Sequence, residues 1–190
     1  MSTNLSRRRF LAASAAAAGS LVLSATILRD VMAGDTHERV TPFAPNAFLR
    51  IEPSGAIVVL IPRPEMGQGV RTSLAMLVAD ELDADWSSVR VEQADLDESR
   101  FGEQYAGGSA VVRTSWEPMR RAGAAARAML VAAAARQWGV RPRDCRTESG
   151  AVMHDATRRL SEFGALVAAA RRLPVPADVR LKAPAERRII

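Results

Sequence analysis

Apolar and polar positions alternate from Phe48 to Glu52, with Leu49 and Ile51 on one side, and give way at Ala56–Ile61 to a wholly apolar run. Pro53-Ser54-Gly55 between them supplies turn chemistry. The pattern therefore predicts a hairpin whose second strand is buried on both faces. Leu74, Leu77, Val78 and Leu82 recur at helical spacing and predict a helix with one buried face. Val89 and Val91 then alternate with Arg90 and Glu92 as a strand. Strand, helix and strand in this order imply a parallel, right-handed crossover. The acidic residues Asp80, Glu81, Asp83 and Asp85 point to different sides of their segment, so they read as a solvated helix end rather than a metal site.

Asp95 to Thr114 lacks regular periodicity and carries Gly102, Gly107 and Gly108, and irregular stretches of this length are often functional. Ser115 is expected to cap the next helix, with Glu117 and Pro118 in its first turn and Gly139 stopping it. Met119, Ala122, Ala126, Met129 and Ala133 form a slim stripe for close packing, in which the methionines are core fillers. Ser149-Gly150 reads as a second hairpin turn, and Ser161 as the cap of a short helix ended by Pro174 and Pro176. No internal repeat is visible. The fold class is α+β, a mixed sheet with hairpins and a βαβ crossover.

Residues 47–190 form this domain, residues 34–46 a linker in which Pro42 and Pro45 resist regular structure, and residues 1–33 a leader. Ser6-Arg7-Arg8-Arg9-Phe10-Leu11 fits the twin-arginine export signal, and a weakly hydrophobic, alanine-rich stretch follows to Leu28. Val31-Met32-Ala33 and Leu23-Ser24-Ala25 both suit cleavage. A periplasmic location through the twin-arginine translocase is expected, with membrane association if the leader is retained. The leader carries +3 of the chain's net +5, which leaves +2 for the remainder. Those charges are interspersed and aromatics make up 5%, which argues against nucleic acid. Lys182 is the single lysine, so the arginine richness is compositional bias. Cys145 is the single cysteine and excludes an internal disulfide. His37 and His154 have no ligand-spaced neighbours, and no zinc site is expected.

Candidate chemistry concentrates at Pro64-Glu65-Met66-Gly67-Gln68-Gly69-Val70-Arg71-Thr72, between the apolar strand and the first helix. Gly67 and Gly69 let backbone approach a ligand without an intruding Cβ. The N–H groups and positive dipole end of the following helix favour an anion, and Gln68 offers an amide suited to a heterocycle edge. The spacing is neither a Rossmann fingerprint nor a P-loop, and on spacing alone a tight strand-to-helix turn is the alternative.

The segment Glu65–Thr72, continued through Leu74–Leu82 and Asp85–Ala94, resembles the molybdenum hydroxylases, specifically the beta subunits of isoquinoline 1-oxidoreductase and related exported aldehyde dehydrogenases. The likeness goes on through Gly107-Gly108-Ser109, Val112-Arg113, Trp116–Arg127, Trp138-Gly139-Val140, Leu173–Pro176 and Leu181-Lys182. It implies that Gly67, Gln68 and Gly69, and then Gly107, Gly108 and Ser109, contact a molybdenum-bearing molybdopterin in its cytosine dinucleotide form. Ala106 and Val111 stand where the family tends to place hydroxyl residues.

The resemblance further implies an N-terminal portion of an oxidoreductase that hydroxylates aldehydes or N-heterocycles with water as the oxygen source. Its partners would be an iron–sulfur small subunit and the remaining segment of the large subunit. The family's catalytic glutamate belongs to that later segment, and no acid–base pair is evident here, so the chain is expected to be inactive alone. Glu65 is assigned a backbone-capping or surface role. The alternatives are a non-catalytic exported module, a decayed gene fragment, or a generic periplasmic binding domain, which leaves the extended likeness unexplained.

Overall fold

A computed structural model describes residues 43–188. The leader, His37 and the linker as far as residue 42 lie outside the described residues.

Strands β1 (Phe43–Asn46), β2 (Leu49–Ile51), β3 (Ile57–Ile61) and β4 (Val89–Gln93) form one sheet in that order. β1 takes the last four positions of the expected linker. The β2–β3 hairpin turns through Pro53-Ser54-Gly55, where Glu52 N–H donates to Ala56 O at 2.8 Å and Gly55 N–H to Glu52 O at 2.9 Å. β3 and β4 run parallel, with Ile57 opposite Val89 and Ile61 opposite Gln93. Helix α1 (Val70–Leu82) makes the crossover between them. Its Leu74, Val78 and Leu82 are fully buried against Leu49, Ile51, Val59 and Ile61. Each such side chain contributes about 1.5–3 kcal/mol of transfer free energy.

A one-turn helix α2 (Glu98–Phe101) interrupts the long connection that follows, and α3 spans Val111–Trp138. Alanine, the best helix former, fills most of α3 from Ala122 to Ala135. Small side chains also let α1 come close: a Cβ on Gly123 would lie 2.5 Å from the Val78 carbonyl oxygen. Ser115 does not cap this helix; it is buried inside the second turn, and Pro118 sits in the helix interior. The helix begins earlier because Ala110 and Thr114 close the first turn, with Thr114 N–H on Ala110 O at 2.9 Å. Gly139 ends α3 in the left-handed region at φ 67°, as the sequence predicts.

A second, antiparallel sheet contains β5 (Arg146–Glu148), β6 (Ala151–His154) and β7 (Arg159–Glu162), with Ser149-Gly150 turning between the first two. Ser161 belongs to β7, and α4 (Phe163–Ala170) starts after Glu162, which makes no side-chain capping bond. The α+β expectation holds, with its mixed sheet, its hairpins and its crossover.

The acidic end of α1 departs most from expectation. Glu81 is fully buried, and the side chains of Asp80 and Asp83 are 12% and 11% exposed. Glu81 accepts from Arg120 Nε at 2.7 Å and from Lys182 N–H at 3.1 Å, with Arg127 Nη2 at 3.6 Å. Lys182 Nζ donates to Asp83 Oδ1 at 2.6 Å and to the Asp80 carbonyl. Three carboxylates face three cations, so burial leaves no net charge, and this pairing replaces the expected solvation. Residues 180–188 are thereby fastened along α1 and α3, with Arg120 Nη2 on Lys182 O at 2.6 Å and Arg188 N–H on Asp80 Oδ1 at 2.8 Å. Thr147 Oγ1 donates to Asp83 Oδ2 at 2.6 Å and joins the second sheet to the same knot.

Candidate functional site

Both glycine-bearing loops leave the carboxyl ends of the parallel pair. Ile61 and Gln93 are register partners, and the Ile61 carbonyl accepts from Gln93 Nε2 at 2.9 Å and from Ala94 N–H at 3.0 Å. Loops after the carboxyl ends of parallel strands are where α/β sheets place ligand contacts.

Residues 64–69 of the first loop are all exposed, and Gly67 and Gly69 have φ of 93° and 79°. Glu65 organises it. Its Oε1 accepts from Gly67 N–H at 2.7 Å and Gly69 N–H at 3.0 Å, and its Oε2 from Arg71 N–H at 3.0 Å. These donors, Arg71 first, hold the Glu65 carboxyl below the usual carboxylate range. The amides at the start of α1 thus already carry an internal anion, which is the capping role expected of Glu65. Gln68 also turns inward, with Nε2 on Pro64 O at 2.8 Å and Oε1 accepting from Met66 N–H at 2.6 Å.

Side chains rather than a backbone ladder order the second loop. Gln104 braces its base, accepting from Asp97 N–H at 2.6 Å and donating to Asp95 O at 2.9 Å. Gly108 and Ser109 are exposed and take left-handed φ of 58° and 52°. Among the described residues, no hydrogen bond engages the N–H groups of Gly108 and Ser109 or the Ser109 hydroxyl. Gly107 is tightly overlaid: a Cβ there would lie 1.9 Å from the Tyr105 hydroxyl. The free donors sit ahead of the 28-residue helix α3 and suit an anionic, hydrogen-bonding group. In the first loop the glycines permit close approach, but its donors serve Glu65 and Pro64.

Arg63 connects the two loops. It is 7% exposed and precedes Pro64, where the first loop begins. Its Nη1 donates to Tyr105 O at 2.7 Å and lies 3.4 Å from Glu103 Oε2, while Nη2 donates to Thr114 Oγ1 at 3.3 Å. All six expected site residues therefore gather at one end of the β3–β4 pair. Arg63 was not singled out from the sequence, although a charged residue between Pro62 and Pro64 at the end of an apolar strand was the available signal.

Met66, Leu96 and Tyr105 on these loops are 71%, 85% and 64% exposed. A cavity of about 660 Å³ opens elsewhere, between α3, β5 and the 180–188 segment, and takes no wall from the glycine loops. Cys145 lines it, half-buried, with its thiol pushed up by burial. His154 is buried and pairs with Thr157 Oγ1 at 2.7 Å. Among the described residues no cluster of metal-ligating side chains occurs, and no helix is long and apolar enough to cross a membrane.

Residues 20–187 match the family model of the molybdopterin cofactor-binding domain. The chain is 38% identical over 173 residues to the beta subunit of isoquinoline 1-oxidoreductase from Brevundimonas diminuta, covering 86% of this chain and 22% of that protein. It is 40% identical over 126 residues to the membrane-bound aldehyde dehydrogenase (pyrroloquinoline-quinone) of Gluconacetobacter polyoxogenes, covering 66% of this chain and 16% of that one. The fold is similar to that of quinoline 2-oxidoreductase from Pseudomonas putida 86, with a TM-score of 0.51 at 24% identity over 64% of this chain and 15% of that one. The chain belongs to the molybdopterin cofactor-binding domains of the molybdenum hydroxylases. It spans about a fifth of the length of the curated relatives it matches.

Proposed function

We propose that this chain supplies two of the loops that hold molybdopterin in an exported oxidoreductase acting on aldehydes or N-heterocycles. The observation that carries the reading is the gathering of both glycine loops at the carboxyl ends of β3 and β4. Gly108 and Ser109 N–H groups and the Ser109 hydroxyl would meet the anionic part of the cofactor, in this reading its cytosine dinucleotide form. Gly67 and Gly69 would allow close approach, and Gln68 would exchange its bond to Pro64 O for one to a ring edge. A molybdenum centre, once bound, would supply the oxidation of carbon with oxygen taken from water. This chain's residues bind and orient.

Enclosure would come from further large-subunit segments and an iron–sulfur small subunit. The exposure of Met66, Leu96 and Tyr105 supports such a cover. The chain alone is proposed to be inactive. Molybdenum content and dye-linked oxidation of aldehydes and N-heterocycles, measured on the complex purified from its natural host and on this chain alone, test the reading. Stoichiometric molybdenum with turnover only in the complex supports it. A complex without molybdenum removes it.

The second reading, a non-catalytic exported module, draws on one observation: Glu65 and Pro64 already use the donors of the first loop. Export is read from Arg7 and Arg8. Replacing both with lysine retains charge without the planar guanidinium pair, and should leave the protein in the cytoplasm. Periplasmic protein in normal amount would end the export proposal.

A further inference from the structure

We propose that Arg63 is a positioning residue that sets the Gly107–Ser109 loop against the Gly67–Gly69 loop, and that cofactor retention depends on its guanidinium fork. The proposal rests on the reading of these loops as cofactor contacts. A buried guanidinium is costly unless its donors are satisfied, and every hydrogen-bond partner that Arg63 has lies in one stretch of chain. Tyr105 O and Thr114 Oγ1 are the two fixed points. The residues between them include Gly107, Gly108 and Ser109.

Thr114 passes the restraint inward. Its Oγ1 donates to Ala110 O at 3.0 Å, and Ala110 N–H donates to Gly107 O at 3.2 Å. The glycine turn is thus gripped on both sides by one planar group. On the other side of Arg63, Pro64 offers the carbonyl that receives Gln68 Nε2 at 2.8 Å. One residue therefore defines the spacing of both loops without contacting the ligand. A lysine keeps the charge but places a single ammonium where two diverging donors are needed.

The test compares Arg63→Lys with the parent, in the full chain and in the complex from the natural host, by hydrogen exchange and by molybdenum per chain. Exchange of the hydrogen-bonded Ala110 and Thr114 amides should quicken at least about tenfold, the loss expected for hydrogen bonds to a charged donor, while β2 and β3 amides stay protected. Molybdenum per chain should fall by a similar factor. Full retention of molybdenum despite a loosened loop would overturn the proposal, as would unchanged exchange at the Ala110 and Thr114 amides. If β2 and β3 loosen as well, Thr114→Val, which removes one anchor and leaves Arg63 in place, decides. Faster exchange at the Ala110 amide with molybdenum loss then upholds the proposal, and no change overturns it. A parent complex without molybdenum removes the cofactor reading itself, and exchange alone then upholds or overturns the clamp.

Discussion

Glu81 Oε1 lies 2.7 Å from Arg120 Nε, between two helices and out of reach of solvent. Arg127 and the Lys182 N–H group share the same carboxylate. Glu81→Ala would leave the buried Arg120 guanidinium without its carboxylate and the Lys182 N–H without an acceptor, and should cost about 3–5 kcal/mol of stability. Replacing the pair together, as Glu81→Leu with Arg120→Met, should cost less than Glu81→Ala alone. Urea denaturation of the variants checks both statements, and an additive double variant would show that the pair is not coupled.

Gly123 marks the closest approach of α1 and α3. A Cβ there meets the Val78 carbonyl oxygen at 2.5 Å and Glu81 Cβ at 3.0 Å, both parts of a packed helix that cannot swing aside. Gly123→Ala gains about 1 kcal/mol of helix propensity. Overpacking should still prevail, with a net loss of about 1–3 kcal/mol read as a lowered Tm. A raised Tm would place the helices farther apart than described.

Gly107→Ala should behave in the opposite way. The obstructing atom is the hydroxyl of an exposed ring, so Tyr105 can swing clear and stability should stay within about 0.5 kcal/mol. Tyr105 is the single tyrosine of the chain, so fluorotyrosine gives one resonance to follow. That resonance should shift in Gly107→Ala, and an unshifted line would mean the ring does not overlie Gly107.

Glu65 gives the first loop a pH dependence. Its folded-state pKa is depressed by the N–H groups of Arg71, Gly69 and Gly67. A depressed carboxyl contributes stability that is complete above the unfolded value of about 4.3 and is lost as pH falls through the lower folded value. Parent and Glu65→Gln should therefore differ at neutral pH and converge on acidification below about pH 4.3. A gap independent of pH would remove the carboxylate from the loop's hydrogen bonding.

The hairpin, α1 and the crossover were legible because their signals are local: Pro53-Ser54-Gly55, the spacing of Leu74, Val78 and Leu82, and the alternation at Val89 and Val91. The start of α3 was misread because Ser115 has a capping side chain whereas Ala110, the actual cap residue, has none. β7 was missed because Arg159, Leu160 and Glu162 are exposed and give no alternation. Gly67 and Gly69 stand out locally at a strand-to-helix junction, whereas Gly107, Gly108 and Ser109 were assigned through the family resemblance. Arg63 was not found, since its partners stand 40 to 51 residues away. The burial of Glu81 was hidden for the same reason, with partners 39 and 101 residues downstream.

That last separation sets an order of events during synthesis. Arg120 emerges from the ribosome long before Lys182, so the Glu81 carboxylate first meets one part of its final company and waits for the rest. Until Lys182 arrives, Asp80 and Asp83 lack their ammonium partner, and the α1–α3 pair carries surplus negative charge at one end. The knot closes only once residues 180–188 have been made, about 60 residues after Arg120, which makes their docking a late step in the folding of this unit.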